Sequence, residues 1–258
     1  MLRVIRERLA QKHRTMKYPA GPAPALPDRF AGRPVISSTC TGGACAGCGE
    51  LCPSGALQPQ VVDGKPSLRI DTGKCLFCRA CENACPNAAV KFSGEHRLAA
   101  AAREDLMVAA DSQPFAPALV ERAAKLFGRS LKLRQVSAGG CNACEADCNV
   151  LGTPAWDMGR FGISFVASPR HADGLLITGP VSGNMRLALL KTYQALAEPR
   201  IVIAVGACAI SGGAYSGHAE VCGGAAEVVP VDLYIPGCPP HPLTILDGLL
   251  RLIGRVDE

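Results

Sequence analysis

Eight cysteines fall within residues 40–85 in two runs, Cys40, Cys45, Cys48 and Cys52, then Cys75, Cys78, Cys81 and Cys85, and each run is followed at once by a proline. The second run has the spacing C-x2-C-x2-C-x3-C-P; the first has the same spacing with two extra residues between its first and second cysteines. Three thiolates two residues apart can wrap one iron-sulfur cube, while the fourth, ahead of proline, is carried away to ligate a second cube. This predicts two 4Fe-4S clusters with crossed ligands. Cys40, Cys45 and Cys48 would share one with Cys85, and Cys75, Cys78 and Cys81 would share the other with Cys52. Pro53 and Pro86 fix the backbone just past each crossing ligand. Zinc also takes four cysteines, but its sites are built from two pairs. A disulfide framework belongs to small exported domains, and this chain of 258 residues shows no export signal.

Four more cysteines fall where a parallel sheet would gather them. Cys141 and Cys144 follow a strand pattern over 131–136, Cys208 follows one over 200–205, and Cys238 follows one over 231–235. In an open α/β sheet every loop after a strand emerges at the carboxyl edge, where ligands bind. Four thiolates meeting there suffice for a third 4Fe-4S cluster, and the glycines beside them allow close backbone approach. Taken alone, Cys141 and Cys144 also suit zinc or a redox disulfide. Cys148 and Cys222 are left over as buried structural thiols. Beside the ligands, Glu145 is read either as a proton-transfer group or as an ordinary hydrogen-bonded carboxylate. Arg170 and His171 are read either as tuning a cluster or meeting a partner, or as a structural pair near Asp173.

The elements that must position these residues divide the chain. Residues 1–35 comprise a basic amphipathic segment, with Leu2, Ile5, Leu9 and Met16 at near-helical spacing, and a proline-rich strap. Residues 36–108 form the two-cluster domain, with a hairpin turning at Asp63-Gly64, a short strand over 88–92 and an alanine-rich helix over 95–108. Residues 109–130 are a linker. Residues 131–258 alternate strands over 131–136, 163–167, 175–178, 200–205 and 231–235 with helices near 184–197 and 241–253. The fold class is therefore α+β for the cluster domain, followed by an α/β parallel-sheet, flavodoxin-like domain covered on both faces.

Charge and hydropathy limit the partners. Residues 1–17 hold six basic residues against Glu7 alone, which accounts for the whole net charge of +5. The remainder is neutral, so no nucleic-acid footprint is expected. No apolar run approaches the eighteen or so residues of a membrane span, and no P-loop or G-x-G-x-x-G indicates a nucleotide. Fourteen cysteines without an export signal predict the reducing cytoplasm.

Residues 131–253, with the runs GGCNACE, SPRHAD, GACAISGG and VDLYIPGCPP, resemble the small electron-transfer subunit of group 4 NiFe hydrogenases and its relative in respiratory complex I. Residues 1–108, with the run KCLFCRAC, resemble the ferredoxin-like subunit of the same complexes. The chain is similar to a fusion of the two, as in formate hydrogenlyase and hydrogenase-4 complexes. The C-x-x-C at 141–144 and His171 match the hydrogenase-like form. Ala138 stands where some hydrogenase relatives have a cysteine.

The resemblance implies that Cys141, Cys144, Cys208 and Cys238 hold the cluster proximal to a partner's catalytic site. The chain would then be an electron-transfer rather than catalytic subunit, at the cytoplasmic face of a membrane. Its implied partners are a NiFe hydrogenase large subunit or complex-I-like equivalent, membrane-embedded subunits, and a soluble donor or dehydrogenase module. Two rivals remain open: a quinone-linked complex-I-like subunit without hydrogenase activity, and a zinc-stabilised assembly scaffold.

Overall fold

The computed structural model describes residues 2–12, 14–37, 40, 48–62, 65–110, 126–127 and 130–256. In the N-terminal half, β1 (Pro34–Ile36) pairs antiparallel with β4 (Val90–Phe92), so the strand just before Cys40 lies beside the strand just after Cys85. Both strands bury alternate residues, as a pleated strand with one face on a core must. β2 (Leu57–Val62) and β3 (Lys65–Asp71) form the expected hairpin, in a register that pairs Val62 with Lys65; the Asp63-Gly64 turn lies outside the described residues. Ile36, Leu57, Leu68, Ile70 and Val90 make a small core, with Cys40, Cys52 and Cys81 packed against it. Two short helices, α2 (Cys48–Leu51) and α3 (Ala80–Ala84), carry cysteines.

The helix expected over 95–108 does not form. Ala100 instead exchanges two 2.8 Å backbone hydrogen bonds with Tyr234, an antiparallel bridge onto the far half of the chain. Leu98, Ala99 and Ala100 are buried there, residues 104–106 make one 3-10 turn, and β5 (Met107–Ala109) returns to pair with β3. Alanine-rich helix propensity amounts to tenths of a kcal/mol per residue, and these tertiary contacts override it.

The C-terminal half is a five-stranded, wholly parallel sheet in the order β10 (Leu233–Ile235), β9 (Ile201–Val205), β8 (Gly174–Thr178), β6 (Leu131–Ser137), β7 (Ile163–Phe165). β8 and β9 are buried at every position, which requires cover on both faces. Leu133, Leu176 and Ile203 face one core, and Val136, Leu175, Ile177 and Val202 face the other. The expected helices are α5 (Gly183–Gln194) and α7 (Pro242–Leu252). Two helices that the pattern did not announce, α4 (Ala143–Val150) and α6 (Ala207–Ser211), begin just past the carboxyl ends of β6 and β9.

At the N-terminus, α1 (Leu2–Gln11) buries none of its residues. Met16 does not continue its apolar stripe; it lies beyond the helix, packed on the C-terminal core, with its N–H 3.0 Å from the Ala155 carbonyl. The strap that follows is fastened to the parallel-sheet half. Thr15 donates to the Pro154 carbonyl at 2.8 Å, and Arg160 donates to the carbonyls of Met16 and Tyr18 at 2.7 and 2.6 Å.

Candidate iron-sulfur sites

Cys52, just past α2, Cys75 and Cys78 in the turn leading into α3, and Cys81 within α3 line one apolar pocket together with Leu57, Ile70 and Phe92. The hairpin core places Cys52 against the second run, so the proline-terminated ligand of one run meets three thiols of the other. Burial pushes the Cys75 thiol up to about 12; the Phe77 N–H, 3.3 Å from its sulfur, offsets this in part, and Cys81, Cys52 and Cys78 add to it. Burial also raises Cys81, to about 11, with Cys52 and Cys78 contributing. Two buried thiols raised beside further cysteines are a setting that a cationic group completes, because coordinated thiolates lose their protons outright.

The two cysteines ahead of proline behave differently. Burial would raise the Cys52 thiol, but the Ser54 hydroxyl and the amides of Ser54, Leu57 and Ala56 outweigh it and hold the group below its ordinary value; the Ala56 N–H lies 3.3 Å from the sulfur. Cys85 repeats the arrangement. Its slight burial is outweighed by the amides of Ala89, Val90 and Asn87, with the Ala89 N–H at 3.2 Å. N–H donors aimed at sulfur favour the thiolate and set the potential of a bound cluster. Cys40 is half-buried on the same core as Cys52. Cys45 and the side chain of Cys48 lie outside the described residues, so the first set is described only by Cys40 and Cys85.

The third set meets at the carboxyl edge of the parallel sheet. Cys141 and Cys144 lie beyond β6, Cys208 in α6 beyond β9, and Cys238 beyond β10. The ladder continues into these loops: Gly206 N–H donates to Ile235 and Ala207 N–H to Gly237, both at 2.8 Å, which ties the Cys208 loop to the Cys238 loop. Gly206 has φ +89°, and a Cβ there would lie 2.6 Å from the Cys144 sulfur, so only glycine fits. Burial raises the Cys144 thiol strongly, and Cys148, Cys208 and Cys238 add to it. Cys208 is raised to about 11 by burial and then by Cys238 and Cys141. Cys238 is raised by burial, then by Cys141 and, from the other half of the chain, by Cys78. The second and third sets are therefore neighbours, a relationship that no local pattern could signal.

Glu145 is buried, and its Oε1 accepts from Ser137 at 2.5 Å and from Thr178 at 2.7 Å. Arg170 and His171 do not reach the cysteines. They are exposed in a 3-10 turn beside the start of β8, where Asp173 N–H donates to the Lys132 carbonyl, at the edge of the sheet opposite Cys141 and Cys208. Of their two readings, tuning of a cluster is corrected by that placement. Cys148 is fully buried in one core, and Cys222 packs on the other. The residues missed in the sequence are Gly73 and Ser211, which join the two halves, and Asp71 and Arg103, which shape the Gly73 loop.

Two parts of the chain match described families. Residues 33–89 match the 4Fe-4S dicluster domain, and residues 141–252 match the family described as NADH ubiquinone oxidoreductase, 20 Kd subunit. The chain is 38% identical to the probable membrane-bound hydrogenase subunit mbhJ of Pyrococcus furiosus over 51% of its own length and 79% of that protein. It belongs to the NADH-ubiquinone oxidoreductase 20 kDa subunit family. Within this family of oxidoreductase subunits it is also 44% identical to formate hydrogenlyase subunit 7 of Escherichia coli, over 52% of each chain. It is likewise 44% identical to a subunit of the NADH-quinone oxidoreductase of Desulfovibrio desulfuricans, over 44% of this chain and 61% of that one. The chain thus spans about half the length of the formate hydrogenlyase subunit it matches, and it carries a dicluster domain ahead of the 20 kDa family region.

Proposed function

We propose that this chain relays electrons, one at a time, through three 4Fe-4S clusters to or from the NiFe site of a partner large subunit in a membrane-bound, formate hydrogenlyase-like complex. The observation that carries the reading is the cleft shared by Leu76 and Phe77 of the second run with Gly237 and Cys238, which brings the dicluster half against the third cysteine set. The assigned ligands are Cys40, Cys45, Cys48 and Cys85; Cys75, Cys78, Cys81 and Cys52; and Cys141, Cys144, Cys208 and Cys238. Each bound cubane would supply a one-electron acceptor and donor. The chain's own residues hold the thiolates, exclude water from the Cys52–Cys81 cavity and aim amides at sulfur.

In this reading residues 36–108 are the two-cluster domain, 131–258 the family domain, and 109–130 the connection. The open cleft lined by Phe77, Cys238, Pro239 and His241 lies between them. Zinc needs its ligands on one point, about 2.3 Å from each sulfur. The two proline-terminated runs of four cysteines, rather than pairs, favour cubanes over the zinc scaffold. The quinone-linked alternative draws on the likeness to the Desulfovibrio NADH-quinone oxidoreductase chain.

Anaerobically purified protein is expected to hold about twelve irons and twelve acid-labile sulfides, four of each per cubane. Stoichiometric zinc with little iron would refute the proposal. Nickel in the co-purified complex separates the hydrogenase reading from the quinone-linked one.

A further inference from the structure

We propose that Ser211 and Gly73 form a clasp that holds the Cys75 loop against the Cys208 helix, and so sets the gap between the second and third cysteine sets. The inference rests on the three-cluster reading above and goes beyond it, because neither residue is a ligand. The Ser211 hydroxyl, 8% exposed, lies 3.0 Å from the Gly73 carbonyl and 3.1 Å from that of Ala207. A serine at this point of a helix can satisfy itself on the carbonyl four residues back; here it also reaches a carbonyl 138 residues away in sequence. Gly73 is two residues from Cys75, and Ser211 is three from Cys208. The clasp therefore ties the two ligand sets together through one hydrogen bond and a few residues of backbone on each side.

The packing around Gly73 leaves no slack. A Cβ there would lie 2.8 Å from Ile210, 2.9 Å from Leu106 and 3.0 Å from the Arg103 guanidinium carbon. From behind, Arg103 grips Asp71 with two hydrogen bonds of 2.9 and 2.6 Å, and Asp71 Oδ1 also accepts the Gly73 N–H at 3.0 Å. Asp71 is 3% exposed, so this bidentate pair is shielded and directional. The Asp71 carbonyl accepts the N–H groups of Lys74 and Cys75 at 3.1 and 3.0 Å. Arg103 and Asp71 thus shape the loop, and Ser211 anchors it to the other half. The role is positional: one electron moves between two sites and no bond is made or broken, so the quantity at stake is separation.

The test compares wild type with Ser211→Ala and Ser211→Thr in the intact, anaerobically purified chain. The readouts are iron content, the midpoint potential of each cluster, and the magnetic broadening that neighbouring reduced clusters impose on one another's paramagnetic resonance lines. Ser211→Ala is expected to keep full iron and unchanged potentials, while the broadening between the second and third signals is lost in part; Ser211→Thr, which keeps the hydroxyl, restores it. Broadening in Ser211→Ala equal to wild type overturns the clasp. So does loss of iron in Ser211→Ala, which would mark a merely structural residue. A wild-type chain without the third signal overturns the three-cluster reading, and the clasp with it.

Discussion

The phenol of Tyr18, in the N-terminal strap, donates a short hydrogen bond to the carboxylate of Asp247, a residue of α7 with no solvent exposure. Asp247 Oδ2 accepts Arg251 Nε at 2.9 Å, so a buried charge is satisfied by one neutral and one cationic donor. Burial, and then the bond to Asp247, push the Tyr18 phenol well above its ordinary value. Tyr18→Phe removes one donor and leaves the ring packing in place. We expect a loss of about 1–3 kcal/mol, the cost of leaving a buried acceptor short of a partner. In a chain of this size that lowers the thermal midpoint by roughly 2–4 °C per kcal/mol. Asp247→Ala strands Arg251 as an unpaired buried cation and is expected to cost more, about 3–5 kcal/mol. An unchanged midpoint in Tyr18→Phe would show that the strap is not fastened at this point.

Acid should loosen the same region. Burial lowers the pKa of His96, and it lowers that of His241, with His96 a secondary cause. His241 Nδ1 accepts the Leu243 N–H at 3.1 Å and caps α7 in its neutral form. Both folded-state values lie below the unfolded value of about 6.5, so the unfolded chain binds more protons at mildly acid pH. Stability is complete above about pH 6.5 and declines as the pH falls from there toward the folded-state values. His241→Asn, which can still cap a helix but does not titrate, is expected to flatten part of the decline in thermal midpoint between about pH 7.5 and 5.5. A variant profile parallel to wild type would remove His241 from the account.

Much of the fold was legible because its signals are local. The apolar runs around Leu175–Thr178 and Ile201–Val205 mark strands buried on both faces, and cysteines just past strand ends mark one edge of the sheet. α4 and α6 escaped notice because they span only eight and five residues, too short for a helical period to show. The segment 95–108 departs from its helical composition because Ala100 is held by Tyr234, and no composition signals a bridge between residues so far apart. The same holds for Arg103 with Asp71 and for Cys78 near Cys238. Arg170 and His171 carried a recognisable motif, but only the register of β6 with β8 shows which edge of the sheet they occupy.

The environment of Cys52 predicts a shift in potential without loss of metal. The Ser54 hydroxyl lies 3.6 Å from the Cys52 sulfur, alongside the Ala56 N–H. Donors aimed at a ligand sulfur stabilise the reduced, more negative cluster. On the proposed three-cluster reading, Ser54→Ala is expected to lower the midpoint potential of one signal and leave iron content and the other two unchanged. Movement of all three potentials, or of none, would contradict the assignment of Cys52 to a single cluster.

The third set has its own diagnostic substitution. Cys238→Ser replaces a thiolate with a hydroxyl that is a poor iron ligand, at a loop tied to Cys208 through Ala207 and Gly237. On the proposed three-cluster, hydrogenase-linked reading it abolishes one paramagnetic signal, keeps the two from the dicluster half, and stops hydrogen production or uptake by the assembled complex. Full activity with all three signals would place the electron route elsewhere.

The last expectation concerns α1, whose ten residues are all exposed. Leu2, Ile5 and Leu9 lie along one face at spacings of three and four, and their side chains are 84%, 52% and 73% exposed. Arg3, Arg6 and Arg8 flank that face on the same helix. An apolar stripe bordered by cations suits the plane of an anionic membrane surface, where the stripe enters the boundary and the cations meet headgroups. Three apolar side chains are too few to hold a protein there alone, so binding should depend strongly on salt. No helix among the described residues is long and apolar enough to cross a membrane. The strap is first held at Thr15 and Met16, so removing residues 1–11 spares its anchorage. The full chain is expected to sediment with phosphatidylserine-containing vesicles at low salt, to be released as salt rises, and to ignore purely zwitterionic vesicles. The truncated chain should ignore both while keeping its iron. Equal sedimentation of the two chains would leave α1 without a part in membrane attachment, and salt-insensitive binding would shift the attraction from its arginines to its apolar face.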